Sequence, residues 1–146
     1  MRRQTKFIVQ TEGRDKGKQF VITEMSAENA ERWAIRALLG MASGGVEIPD
    51  SIASAGMAGI ASMGVGMLGK LPPDLAQELL DEMFRCVQYV PNPAKPEIAP
   101  RDPLPDDIEE VATRIRLRLE VFRLHVDFSS VAALFSPDPA AQEPQG

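Results

Sequence analysis

Between Ile52 and Gly69 the chain reads IASAGMAGIASMGVGMLG, eighteen residues without a charge in a sequence of which 25% is charged. Such a segment constrains the fold class first, because it must leave water somewhere. A membrane span needs about 20 strongly apolar residues, and here only Ile52, Met57, Ile60, Met63, Val65, Met67 and Leu68 are large and apolar. The run Gly64-Val65-Gly66-Met67-Leu68-Gly69 matches G-x-G-x-x-G, but that fingerprint binds a pyrophosphate only after a strand and at the mouth of a helix. Here it runs into Lys70-Leu71-Pro72-Pro73, where no long helix starts at once. The small residues fit a third reading. Ala55, Gly59, Ser62, Gly66 and Gly69 fall on one side of a helix, with Met57, Ile60, Met63 and Met67 as a greasy strip beside them. Small side chains let another backbone approach closely, and methionine adapts to irregular partners. Each glycine costs a helix about 0.8–1 kcal/mol relative to alanine, so this one must be held by contacts, inside the molecule or against an apolar partner.

The rest of the chain predicts an α+β protein, mainly α-helical, with an N-terminal β-hairpin, about four helices and a disordered C-terminal tail. Phe7-Ile8-Val9 and Phe20-Val21-Ile22-Thr23 are β-branched and aromatic runs flanking a charged, glycine-bearing reversal, Thr11 to Lys18. Residues 1–25 thus form a hairpin arm, which must pack on helices or pair with another strand because a lone hairpin is marginal in water. Residues 26–130 form the helical body. Ser26 is suited to an N-cap, and Ala30, Trp33, Ala34, Ala37, Leu38 and Met41 recur at helical spacing. After Pro72-Pro73, an acidic amphipathic helix is expected with Leu75, Leu79, Met83 and Val87 on one face, ending at Val90-Pro91. Five prolines between Pro91 and Pro103 make residues 91–105 a stiff extended connector. Residues 131–146 are polar and proline-bearing, and are expected to be a flexible tail.

The last helix, from Pro105, carries two apolar stripes. Ile108, Ala112, Ile115, Leu119, Phe122 and Val126 suffice for packing on the body; Leu117, Val121, Leu124 and Phe128 run along another face, with Arg114, Arg116, Arg118 and Arg123 between. A helix apolar on two faces is buried in a large core or lies between two partners. A chain of 146 residues favours the second, so Leu117, Val121, Leu124 and Phe128 are expected to mediate self-association, and Met57, Ile60, Met63 and Met67 to bind an apolar client.

Composition excludes most chemistry. One cysteine, Cys86, rules out a disulfide framework, and one histidine, His125, rules out a site needing two imidazoles. His125 and Asp127 form an H-x-D pair, but residues two apart on a helix point away from each other. Cys86 lies beside Phe84 and Val87, which predicts an inert, partly buried thiol. Asp81-Glu82 and Asp106-Asp107 suit solvated helix faces and helix starts. No catalytic, cofactor-binding or metal site is therefore expected. The basic start leads into strand-like alternation, so no signal peptide is read. Residues 1–19 hold six bases and two acids, a net +4, against ten bases and nineteen acids, a net −9, in the remainder. An acidic body with one Trp and one Tyr makes nucleic acid an improbable partner.

Taken in order, several phrases carry a resemblance. They are Lys6-Phe7-Ile8-Val9 with Glu12-Gly13-Arg14-Asp15-Lys16-Gly17-Lys18, then Phe20-Val21-Ile22-Thr23-Glu24-Met25 and Ala30-Glu31-Arg32-Trp33-Ala34-Ile35-Arg36-Ala37. Leu80-Asp81-Glu82-Met83-Phe84, Asp107-Ile108-Glu109-Glu110-Val111-Ala112-Thr113-Arg114 and His125-Val126-Asp127-Phe128 follow. From about residue 6 to residue 130 the chain resembles the tail assembly chaperones of long-tailed bacteriophages and prophages. The resemblance implies a non-catalytic protein of the infected bacterium's cytoplasm that coats the apolar helical tape-measure protein, keeps it soluble, promotes tail tube assembly around it, and is absent from the mature virion. It also implies a longer frameshifted form that recruits the tail tube protein. Two readings from other classes stand beside it: a minor structural tail or connector protein retained in the virion, and a small DNA-binding regulator using the basic hairpin.

Overall fold

The computed structural model describes residues 1–45 and 69–126. The glycine–methionine segment, with Met57, Ile60, Met63 and Met67, lies outside the described residues, and so do Phe128 and the expected tail. Within them the chain is α+β: β1 (Gln4–Ile8), β2 (Gln19–Thr23), α1 (Ala27–Ser43), α2 (Pro73–Phe84), β3 (Val87–Val90) and α3 (Val111–His125), with a 3-10 turn at Pro105–Asp107.

A hairpin forms where one is expected, but β1 begins earlier, at Gln4, and stops before Val9; Phe7 lies opposite Phe20 and Thr5 opposite Ile22. At the reversal Gly17 has φ +87, a conformation that disfavours any side chain. The hairpin needs a further element, and β3 supplies it: the sheet is antiparallel in the order β1-β2-β3, with Tyr89 opposite Phe20 and Val87 opposite Ile22. This corrects the expected helix end. The expected helical face includes Val87, whereas the helix stops at Phe84 and Val87–Val90 is extended. The competing physics is the free edge of β2, against which β-branched and aromatic residues at 87, 89 and 90 gain more than by continuing a helix toward Pro91.

The proline-rich connector is less detached than its composition predicts. Tyr89 and Arg101 exchange both backbone hydrogen bonds, at 2.7 and 3.0 Å, so the connector returns along the outer edge of β3. Arg101 grips Asp107 through both terminal nitrogens, at 2.6 and 3.1 Å, and Asp107 also accepts the backbone N–H of Leu104 at 2.6 Å.

α3 packs on β1, β2 and α2, and α2 packs on α1. Ser26 caps α1, its hydroxyl accepting the N–H of Asn29 at 3.2 Å. The buried side of α1 is Trp33, Ala34, Ala37, Leu38 and Met41, five of the six positions its spacing predicts. Trp33 ties the three helices together: it is fully buried, its indole N–H donates to the Leu79 carbonyl at 2.9 Å, and its ring meets Phe122 edge-on at 6.3 Å. Gly40 marks the closest approach of α1 to the start of α2, where a Cβ would stand 2.6 Å from methyl groups of both Leu71 and Leu75. No helix of the described residues is long and apolar enough to cross a membrane.

Candidate functional site

The sequence of α3 from Arg114 to Val121 alternates arginine or glutamate with Ile115, Leu117, Leu119 and Val121. On a helix each step turns about 100°, so alternate residues point to nearly opposite sides. The alternation therefore produces two apolar lines rather than one. Thr113, Leu117 and Val121 form the buried line, the last two 0% and 1% exposed in the core with Phe20, Ile22 and Trp33. Val111, Ile115 and Leu119 form the outer line, 72%, 55% and 36% exposed. Leu124 is partly buried against the same core, as are Phe122 and Val126.

Ile115 and Leu119 thus exchange places with Leu117 and Val121, while Ile108, Phe122 and Val126 pack on the body as expected. Leu117 and Val121, expected at a self-association face, lie inside a single chain and reach a second copy only if the core opens. Ile115 and Leu119, assigned to body packing, face outward. What the sequence reading missed is the set of polar contacts that fixes the rotation of α3. At its N-terminal end the carboxylate of Asp15, 1% exposed, reaches from the hairpin reversal and accepts the backbone N–H groups of Glu109 and Glu110 at 2.9 and 2.8 Å. Lys18 donates to the same carboxylate at 2.9 Å and to the Asp107 carbonyl at 2.9 Å. Burial opposes the charge on Asp15, but the two backbone N–H groups, Lys18 and Thr113 outweigh it and hold the carboxyl down at about 2. A carboxylate from elsewhere thus anchors the two residues that lead into this helix, while Glu110 at the N-cap position makes no side-chain cap of its own. Arg14 adds a second tie, donating to the Glu110 carboxylate at 2.9 Å and to the Glu109 carbonyl at 2.7 Å.

Along the side of α3, Arg114 and Arg118 lie over the ring of Phe84, 4.1 and 5.3 Å from its centre, and Arg118 donates to the Leu80 carbonyl at 3.3 Å. At its C-terminal end His125 is a bracket. Its Nε2 accepts the N–H of Met25 at 2.7 Å, which leaves Nδ1–H to donate to the Val121 carbonyl at 2.8 Å. The hairpin reversal, α2 and the start of α1 therefore all fix one orientation of α3, with Leu117 in and Ile115 out.

The remaining chemical candidates are occupied by structure. Cys86 is buried and its thiol is pushed up to about 11 by that burial, against a small opposing pull from Arg2. Asp106 and Asp107 sit in the 3-10 turn, and the latter is spent on Arg101. Among the described residues no three of His, Cys, Asp and Glu are placed to hold a metal ion. In comparisons with known proteins, the chain matches no family model, no curated protein and no solved structure.

Proposed function

We propose that the chain is a tail assembly chaperone of a long-tailed bacteriophage or prophage, acting without catalysis in the host cytoplasm to bind the tape-measure protein, keep it soluble and promote tail tube assembly. The ordered phrases from Lys6 to Phe128 support the family. The outer line of α3 supports the kind of activity: Val111, Ile115 and Leu119 are exposed on a helix whose opposite side is locked into the core. Single exposed apolar residues are ordinary, whereas a row on one helix is suited to receiving another helix. In this reading Val111, Ile115 and Leu119, rather than Leu117, Val121, Leu124 and Phe128, take the self-association role. Met57, Ile60, Met63 and Met67 keep the client role, and a longer frameshifted form recruits the tail tube protein.

The experiment is co-expression with the tape-measure protein of the same phage. The wild-type chain is expected to co-purify with it and to keep it in the soluble fraction, while polar replacements at Ile60 and Met63 abolish both effects. A tape-measure protein that is equally soluble alone, or undiminished co-purification of the variant, would contradict the proposal. Protein analysis of purified particles separates the structural alternative, since a tail or connector protein stays in the virion and a chaperone does not.

A further inference from the structure

All eleven arginines of the chain lie among the described residues. Seven are ion-paired with a glutamate or aspartate. Arg114 and Arg118 lie over Phe84. That leaves Arg2 and Arg85, which have neither a carboxylate nor an aromatic ring among the described residues, and both line one cleft of about 640 Å³. Four elements meet there: the end of β2, the start of α1, the end of α2 and the start of β3. The cleft has carboxylates of its own, but they are already used. Glu24 is held by Arg3 at 3.0 Å and Glu82 by Arg36. Arg32, also in the lining, is matched by Glu28 at 2.7 Å. The unmatched charge is therefore positive, on a chain of net charge −5.

Unmatched charge of one sign in a cleft concentrates counter-ions, and guanidinium groups take carboxylates in a bidentate, directional way. Its volume falls within the range of about 300–1,000 Å³ usual for ligand sites. The neutral lining narrows the ligand. Asn29 and Gln88 offer side-chain amides and Thr23 a hydroxyl, groups that pair with peptide N–H and C=O as well as with charge. Met25 and Cys86 add an apolar floor. From this combination we infer that the cleft binds an extended acidic peptide segment of a protein partner, with Arg2 and Arg85 each taking a carboxylate. The inference goes beyond the chaperone reading and does not depend on it, because it concerns a different face and a different chemistry from the apolar line of α3.

The test is titration of the full chain with a fluorescent peptide of glutamates and glycines, against the same peptide with glutamine for glutamate. Binding of the acidic peptide that weakens with added salt, and none of the glutamine peptide, is expected. R2Q and R85Q are each expected to weaken it by about tenfold, the loss of one charge-assisted pair. K6Q on the hairpin and R123Q on α3 remove an exposed charge outside the cleft and are expected to leave binding unchanged. All four positions are exposed, so an unaltered melting curve confirms the fold. Unchanged binding in the R2Q/R85Q double variant, an equal loss in K6Q, or displacement of the peptide by inorganic phosphate or an oligonucleotide at lower concentration would each overturn the assignment.

Discussion

Asp15 shows how much one side chain decides in this molecule. As a residue of a charged reversal it resembles its neighbours Arg14 and Lys16, yet it is almost wholly buried and carries the start of α3 on two backbone hydrogen bonds. Its carboxyl is held at about 2 in the folded chain against 3.8 ordinarily. A lowered folded value stabilises above the unfolded one, so this contribution is complete above about pH 4 and is lost as pH falls toward 2. At one pKa unit per 1.36 kcal/mol it amounts to about 2 kcal/mol. Asp15→Asn is expected to lower the melting temperature at neutral pH, since an amide presents donors where two N–H groups need acceptors, and to flatten the decline of stability between pH 4 and 2. A variant as stable as wild type at pH 7, with an unchanged acid limb, would refute this role. Nothing in the sequence separates Asp15 from the other charges of the reversal, because its partners, Glu109 and Glu110, are 94 and 95 residues away along the chain.

At the scale of elements, local signals were legible wherever a segment meets its fate locally. The hairpin (though not the bounds of its first strand), the Ser26 cap and the Trp33–Met41 face of α1 all follow from spacing and capping. Legibility failed where a distant partner chose between two local options. Val87–Val90 reads as a helix end until β2 presents an edge to it. On α3 the two apolar lines are visible in the sequence, but the line that turns inward is selected by Asp15, Phe84 and Met25, each on a different element. Stability separates the two lines. Leu117→Ala is expected to cost about 2–5 kcal/mol, as for a fully buried leucine, whereas Ile115→Ala at an exposed position should stay within about 0.5 kcal/mol of wild type. Denaturant unfolding followed by Trp33 fluorescence measures both, and equal costs would mean that the inward face is misassigned.

In the molecule as a whole, α3 is fixed by its inner line and keeps its outer line exposed. The hairpin and α2 pack on the inner side, and among the described residues Val111, Ile115 and Leu119 are exposed. In the proposed function this surface serves self-association, and the client is bound elsewhere. The most direct measurement is the solution mass of the full chain by light scattering across a concentration series, alongside an I115D/L119D variant. The account predicts a wild-type mass that rises well above the 15.9 kDa of one chain, and a variant that is folded by circular dichroism but stays at the monomer mass. A wild-type protein that remains a single chain at the highest concentration, or a variant that assembles as wild type does, would contradict it.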